Sequence, residues 1–451
     1  MRRAISILAI VTFAMISFGA SIKIAVASDG SPSRFMQGLG RIKVDDQAAA
    51  AAGIRRLDGK RITLYTDLPS SPEIDQLPAI FDLAFPQWCA YFGIDPNTQA
   101  DWRMTGFLMK NGQTFRRLGL LPGNLPPFKH GFSRNYELWL YEQPTDYYRR
   151  HLFLHEGTHG FMNTVLGGCG PPWYMEGTAE LLGTHLWKDG QLKLAWNPPT
   201  RDDAKDWGRV KLVKDAVAQG RVLGVNDVMN YSTTAHRETE PYAWCWALSL
   251  LMDRDPRFEK IFRAAGRNVR ASDFTNRFRQ AIGADWPKLD LQWRLMIDDL
   301  QYGYDVRQNS VDLEKTTESP LSSGNIVSVE AERGWQNSGI SLTAGKTYRI
   351  RAAGRYQVAD SPQIWWCEPA GVTFRYHDGR PLGMLQAAVV PQSGADSASQ
   401  AAAMAAPIAI GLDRTIRPER SGTLMLKIND SPGELQDNAG SLKVHIMPIA
   451  E

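Results

Sequence analysis

The sequence has few cysteines, little net charge and no long apolar run beyond its first twenty residues. Four cysteines in 451 residues are too few and too scattered for a cysteine framework or a Cys-x-x-Cys zinc site. A formal charge of +3 provides nothing that would recruit nucleic acid. These shortages exclude disulfide-rich miniproteins, nucleic-acid-binding proteins and multi-span membrane proteins. They leave a globular chain of ordinary composition.

The first 27 residues have the pattern of a cleavable secretory signal. A basic start, Met1-Arg-Arg, precedes a mostly apolar run over residues 4–20 and an Ala-x-Ala site at residues 25–27. A membrane anchor is the alternative, but the run is short and Lys23 follows it. Cleavage removes three basic residues and leaves a net charge of zero. We therefore expect an exported protein, secreted, periplasmic or on the cell surface, in which disulfides are permitted and three complete pairings stay open.

A five-residue pattern, HEGTH at residues 155–159, points to metal chemistry. On a helix, His155 and His159 lie one turn apart on the same face, so that two imidazoles can converge on one metal ion. Glu156 stands beside them, placed to take a proton from a water molecule without ligating the metal. This is the HExxH arrangement of zinc hydrolases. A histidine pair that only packs or is solvated is the alternative for this motif taken alone.

Two histidines leave a catalytic zinc site incomplete, because such a site normally has three protein ligands. A Gly/Pro turn at residues 167–172 precedes a second predicted helix, and Glu176 falls in its first turn. Glu176 is the natural third ligand. Glu180 lies one turn further on, where it would accept the N–H of a zinc-bound histidine and fix the ring. Glu156 is retained, whereas its loss would be the usual sign of a pseudoenzyme.

Together the two motifs resemble those of the gluzincin metallopeptidases, and within them the bacterial peptidases whose second helix reads Trp-x-x-Glu-Gly-x-Ala-Glu, here residues 173–180. The resemblance covers roughly residues 61–300 and is strong only across the two motif helices. It implies zinc on His155, His159 and Glu176, support from Glu180, and a peptide or protein substrate.

The same resemblance implies a tyrosine or histidine from a later helix that stabilises the oxyanion of the reaction. Tyr242 is the candidate, and Tyr231 and His236 are weaker ones. The alternative for Tyr242 is an aromatic residue that only packs.

Hydrophobic periodicity predicts an α+β peptidase domain over residues 61–304, after a lead-in segment at residues 28–60. The predicted strands are 61–67, 102–109 and 135–142, and the predicted helices are 72–92, 241–252 and several within 258–300. Pro78 and Pro86 are expected to kink or split the first helix. In the resembling family an edge strand upstream of the metal helix lines the cleft, which makes strand 135–142 either a cleft edge or a purely structural strand.

A polar linker at residues 305–325 separates this domain from short strands separated by turns, which predict an all-β sandwich over residues 326–451. An Ala/Ser-rich insertion at residues 393–406 is expected to be a mobile loop. Residues 339–354 and 429–442 resemble the bacterial calcium-dependent galactose-binding lectin sandwich.

This second resemblance implies calcium ligands at Asp430, Asp437 and Asn438, and oxygen ligands of this kind are what calcium prefers. The chain departs from the pattern at Glu434, where a threonine is expected, and at Val358, where the family often uses a tyrosine backbone. Its sugar-contacting loops do not match clearly.

The leading hypothesis is a secreted zinc metallopeptidase in which Glu156 is the general base. Zn²⁺ is the expected cofactor and Ca²⁺ a second candidate ion. One rival is a glycan-binding surface module that acts through its C-terminal domain and has a vestigial metal lobe. Another is a zinc hydrolase of a non-peptide amide, since the motifs select a mechanism rather than a substrate.

Overall fold

The computed structural model describes residues 41–232, 238–313, 323–391 and 395–449. The predicted signal, the first part of the lead-in segment, His236 and residues 314–322 of the linker lie outside these ranges. The described chain is α+β, as the sequence predicts, with a mixed region up to residue 299 and strands from residue 325 onward. No helix within the described ranges is long and apolar enough to span a bilayer.

A five-stranded mixed sheet forms the first layer. Its strands are β1 (Arg55–Asp58), β2 (Ile62–Thr66), β3 (Met104–Met109), β4 (Gly131–Arg134) and β5 (Glu137–Tyr141). They lie in the order β1-β2-β3-β5-β4, with β2, β3 and β5 parallel and the two outer strands antiparallel.

The strand predicted at residues 135–142 is present, but of its two alternatives, a cleft edge or a purely structural strand, the edge does not hold. These residues become β5, which pairs with β3 on one side and with β4 on the other. Asn135 has φ 53°, and a short turn at this left-handed residue folds the chain back so that the preceding segment covers β5. The edge of the sheet next to β5 is therefore β4, for which the sequence predicted no element.

Six helices accompany this sheet: α1 (Asp46–Ala51), α2 (Pro72–Asp75), α3 (Leu77–Phe92), α4 (Gly112–Arg117), α5 (Asp146–Phe161) and α6 (Pro172–Gly183). Of the two prolines, Pro78 marks the break, because α2 ends at Asp75 and Pro78 lies in the first turn of α3. Pro86 lies inside α3 without ending it. Thr145 caps α5 by accepting a hydrogen bond from the Tyr148 N–H.

Aromatic packing fixes α5 against α3. The ring of Phe81 lies 5.2 Å from that of Phe153, centroid to centroid, and Phe161 is stacked 5.9 Å from Phe92. Gly157, the central residue of the HEGTH motif, faces Phe81, and a Cβ there would lie 2.6 Å from the ring. The close packing of α5 against α3, rather than a chemical role, thus explains the glycine of the motif.

The helical half that follows contains a two-stranded hairpin and six helices: β6 (His185–Lys188), β7 (Gln191–Leu194), α7 (Arg209–Ala218), α8 (Val225–Met229), α9 (Glu240–Arg254), α10 (Glu259–Ala265), α11 (Phe274–Ile282) and α12 (Trp286–Asp299). The predicted helix at 241–252 is confirmed as α9, which is buried from Ala243 to Asp253. It packs so closely on α6 that a Cβ at Gly177 would lie 2.6 Å from the Cys245 carbonyl oxygen.

The C-terminal strands that the structure describes form two four-stranded sheets with two smaller strand pairs, β11-β12 and β13-β14, and one helix. The elements are β8 (Asn325–Glu330), β9 (Gln336–Leu342), β10 (Tyr348–Ala353), β11 (Tyr356–Ala359), β12 (Trp365–Cys367), β13 (Val372–His377), β14 (Arg380–Leu382), β15 (Leu385–Val390), α13 (Ser397–Ala405), β16 (Ile408–Ala409), β17 (Asp413–Ile416), β18 (Gly422–Ile428) and β19 (Ser441–Pro448). The large sheets have the orders β17-β10-β19-β8 and β16-β15-β18-β9. Their apolar faces enclose a common core.

The prediction of a mobile loop at residues 393–406 is wrong for its greater part. Residues 397–405 form α13, capped by Asp396, which accepts a hydrogen bond from the Ser399 N–H. Alanine has the highest helix propensity, so the composition that suggested a loop favours a helix once one face is buried. Ala401 and Met404 supply that buried face.

Ala401 and Met404 of α13 belong to a cluster of buried apolar residues. We call this the junction cluster, because its residues come from both α12 and the sandwich. Its members are Leu291, Leu295, Val311, Trp335, Ala388, Val390, Ala401, Met404 and Met425. All four cysteines of the chain are buried and unpaired.

Candidate metal centre

Helices α5 and α6 bring three metal-ligating atoms together. His155 Nε2 and His159 Nε2 are 3.0 Å apart, and each lies 3.3 Å from Glu176 Oε2. The three residues are buried, with 4%, 8% and 7% of their surfaces exposed. Zinc bound tetrahedrally at about 2.0–2.1 Å has ligand atoms about 3.3 Å from one another. The donor triangle therefore fits such an ion, and the sequence-predicted ligands are the residues that form it.

The electrostatics of this triangle also favour a cation. Burial opposes a charged imidazole, but the Glu176 and Glu180 carboxylates outweigh it and raise the pKa of His155 to about 9. Burial is likewise outweighed at His159, mainly by Glu176, and its pKa is raised to about 10. Conversely, the two histidines hold the pKa of Glu176 at about 2 despite its burial. The carboxylates thus create a strong negative field, in which a divalent cation can take the place of protons.

Glu180 lies behind His155 and is held from two sides. Its Oε1 is 3.5 Å from His155 Nδ1, the ring nitrogen that faces away from the donor triangle. Arg209, the first residue of α7, donates to both carboxylate oxygens, at 2.9 Å from Nε and 2.8 Å from Nη2. His151 Nε2 lies 3.2 Å from Glu180 Oε2. Burial opposes the charge on Glu180, but Arg209 and then His151 hold its pKa well below the usual range.

The sequence analysis overlooked both His151 and Arg209. His151 had a signal, since it precedes His155 by four residues and so occupies the same helix face. Arg209 had none, because it is 29 residues from Glu180. His151, His155 and Glu180 form a second group close enough to hold an ion. Arg209 already neutralises Glu180, so the Glu176 triangle is the better candidate of the two groups.

Glu156 is also buried, with 6% of its surface exposed, and lies beneath the edge strand β4. The Ser133 hydroxyl lies near enough to Glu156 to help lower its pKa. Burial raises the pKa of Glu156 above its ordinary value, while His155 and His159 oppose that rise.

Tyr242 lies in the first turn of α9, with its ring centroid 6.0 Å from that of His155. Burial, followed by the charges of Glu176 and Glu156, raises its pKa well above the usual range, so the hydroxyl keeps its proton. Tyr231, a weaker candidate, packs against the large apolar core. The other weaker candidate, His236, lies outside the described residues.

Two of the three predicted calcium ligands are in direct contact. Asn438 donates from Nδ2 to Asp430 Oδ2 at 2.9 Å. Asp437 Oδ1 and Asn438 Oδ1 are buried oxygens without a hydrogen-bond partner, and buried oxygens of this kind suit a calcium ion. Burial raises the pKa of Asp430 to about 6.

A second surface feature, overlooked in the sequence, is a group of aromatic residues on β12 and β13 that we call the aromatic platform, Trp365, Trp366, Phe374 and Tyr376, in which the rings of Trp365 and Phe374 pack edge to face at 5.2 Å. Trp366, Phe374 and Tyr376 are 51%, 73% and 60% exposed. Guanidinium groups lie 5.3 Å from two of its rings, Arg355 over Trp366 and Arg375 over Trp365. Arg375 also pairs with Glu434 at 3.6 Å, which places the platform beside the predicted calcium loop. Exposed aromatic surface of this kind commonly marks a binding site.

No protein-family model matches the chain, and no curated protein matches it. Among solved structures, 27 chains match. One is the N-terminal domain of EclA, a PllA-like lectin, with 21% identity over 29% of this chain and 100% of that domain, at a TM-score of 0.22. Another is IMPa from Pseudomonas aeruginosa in complex with an O-glycopeptide, with 13% identity over 56% of this chain and a TM-score of 0.17. This chain covers only 24% of IMPa, and likenesses of this strength do not assign a function.

Proposed function

We propose that the protein is a zinc-dependent hydrolase of peptide bonds, with the metal on His155, His159 and Glu176. The observation that carries the proposal is the donor triangle, whose edges of 3.0–3.3 Å suit tetrahedral zinc. A carboxylate that is not part of the triangle, Glu156, lies beside it. Three ligands and an adjacent base are parts that metal-assisted hydrolysis needs.

Zinc held there would supply Lewis acidity, polarising the scissile carbonyl and making a water molecule more acidic. Glu156 accepts the proton of that water and returns it to the leaving amine. The Tyr242 hydroxyl, which keeps its proton, donates to the developing oxyanion. The Glu180 carboxylate, 3.5 Å from His155 Nδ1, favours the tautomer with its proton on Nδ1, which leaves the Nε2 lone pair for the metal.

Strand β4 supports a peptide rather than a non-peptide amide as substrate. Its inner edge pairs with β5, and no described strand pairs with its outer edge. Open backbone N–H and C=O groups at such an edge can pair with an extended peptide. The strand passes directly over Glu156, so a peptide added there would lie close to the proposed base.

The variant Glu156→Gln tests the mechanism. It keeps the size of the side chain and removes the proton acceptor, so zinc content should stay at about one ion per chain while hydrolysis of a peptide library falls about 10²–10⁴-fold. His155→Ala and Glu176→Ala should lose zinc. Glu419→Gln, an exposed change of the same kind, is the control. Unchanged hydrolysis by Glu156→Gln, or full zinc retention by both ligand variants, would reject the proposal.

We further propose that the protein is exported. The support is the N-terminal sequence, and the test is mass spectrometry of the native protein, in which the first residue should be Ser28 or a near neighbour.

The aromatic platform supports glycan binding by the sandwich as a second function. Exposed aromatic rings offer faces on which sugar rings can stack, and the flanking arginines and carboxylates offer hydrogen-bond partners. Retention on a glycan array should be lost in Trp366→Ala. Calcium dependence of that retention would link it to Asp430, Asp437 and Asn438. A parent that binds zinc, hydrolyses no peptide and retains glycans firmly would favour this function over the peptidase.

A further inference from the structure

The backbone conformation of Gly131, the first residue of β4, does not explain why this position is a glycine. It is not among the residues with positive φ, so any residue could adopt its conformation. Glycine in a strand normally weakens it. The space around Gly131 supplies the reason, because a Cβ there would lie 2.7 Å from Glu156 Oε1 and 3.0 Å from Glu156 Cγ.

The alternation of β4 places a second residue on the same side. Gly131 and Ser133 face α5, whereas Phe132 between them stacks on Phe128 at 5.9 Å, on the opposite face. The Ser133 hydroxyl lies near enough to the Glu156 carboxylate to help lower its pKa. Glu156 therefore meets an open space at one position of the strand and a hydroxyl group two residues further along.

We propose that Gly131 and Ser133 form a cradle that positions the Glu156 carboxylate relative to the metal ligands. They are positioning residues, since they act through Glu156. As a step in catalysis the cradle rests on the proposed function, but the contact itself can be measured independently of any activity.

The geometry gives the size of the expected effect. A carbon and a carboxylate oxygen do not approach as closely as 2.7 Å, so Gly131→Ala requires a shift of roughly 0.5–1 Å. The carboxylate is the end of a flexible side chain, as is the Leu140 Cδ2 that a Cβ would also meet at 2.9 Å. The side chains should therefore move rather than the strand. A misplacement of about 1 Å costs on the order of 10²-fold in rate.

The experiment compares Gly131→Ala with Gly123→Ala, where a Cβ would meet nothing within 4 Å. We expect Gly131→Ala to keep the zinc content and the melting temperature of the parent while kcat falls about 10²-fold at unchanged KM. In a Glu156→Gln background it should cause no further loss, because both changes act on one group. A crystal structure of the variant should show the Glu156 carboxylate displaced and the donor triangle in place.

The inference is overturned if the carboxylate of Gly131→Ala has not moved, or if kcat is that of the parent. Ser133→Ala provides a second variant with the glycine intact, and it should lower kcat at unchanged zinc content. If the parent hydrolyses no peptide, the proposed function fails, and the crystal structures still decide whether the cradle exists.

Discussion

Removing one partner of the ion pair between Arg209 and Glu180 should lower the free energy of unfolding more than removing one partner of a surface pair. Both side chains are buried, with 5% and 1% of their surfaces exposed, and the two hydrogen bonds are 2.9 and 2.8 Å long. Arg209→Met leaves the carboxylate without its main countercharge. Removing one partner of a buried pair typically costs about 3–5 kcal/mol in the free energy of unfolding. Arg209→Lys keeps a charge but cannot form two parallel bonds, so it should lose less.

The same substitution should also weaken metal binding, because Glu180 lies 3.5 Å from His155 Nδ1 and would hold that ring in place. Loss of such a supporting contact typically lowers metal affinity about 10–100-fold. Urea denaturation followed by tryptophan fluorescence measures the stability, and competition with a chelator measures the affinity. Lys211→Met is the matched control, since Lys211 lies on the same helix in an exposed pair with Asp215 and should cost less than about 1 kcal/mol.

A double variant separates the two effects. Replacing both Arg209 and Glu180 by methionine removes the uncompensated charge, so most of the stability should return, whereas metal affinity should stay low because His155 has lost its support. The reasoning is refuted if Arg209→Met is as stable as the parent, or if the double variant recovers full metal affinity.

Three further predictions follow from the packing and the burial described above. Gly177→Ala should push α6 away from α9, since a Cβ would lie 2.6 Å from the Cys245 carbonyl oxygen. The free energy of unfolding should fall by about 1–3 kcal/mol in a denaturation experiment, and zinc binding through Glu176 should weaken. Unaltered zinc affinity would contradict this. In chelator, Asp430 should destabilise the protein as the pH rises from about 4 to 7. Its pKa of about 6 in the folded state lies above the ordinary 3.8, so the folded state binds more protons in that window and about 3 kcal/mol is lost; Asp430→Asn should flatten the stability-versus-pH curve. Asp396→Ala should remove the cap of α13 and cost about 1 kcal/mol, measured by urea denaturation, whereas no loss would mean that the helix needs no cap.

The parts of the site that the sequence could predict are those set by local geometry. Helix periodicity alone places His155 above His159, and the short loop before α6 leaves Glu176 within reach of both. The same periodicity would have included His151, which the HExxH pattern does not contain. The α+β fold and the long helix α9 were predicted from apolar spacing.

The remaining parts depend on contacts between residues distant in sequence. Arg209 reaches Glu180 only because α7 and α6 both pack against α9, and no local sequence pattern predicts this. Gly131 lies 25 residues before Glu156, in a segment that the sequence analysis left without an element. The edge strand β4 could not be located because one left-handed residue, Asn135, reverses the chain between two short strands. Helix α13 was missed because an alanine-rich segment becomes a helix only with a surface to bury.

The junction cluster has a consequence for how this chain can be taken apart. The short strands of the sandwich begin at residue 325. Met425 and Val390 of the sandwich nevertheless share one apolar cluster with Leu291 and Leu295 of α12. A cut at residue 325 would expose the inner faces of both pieces to water and invite aggregation. Helix α12 cannot simply be carried along, because its Leu289, Trp293 and Met296 belong to the large core of the first region. Engineering that fuses this sandwich to another enzyme should therefore supply new apolar partners for Met425 and Val390.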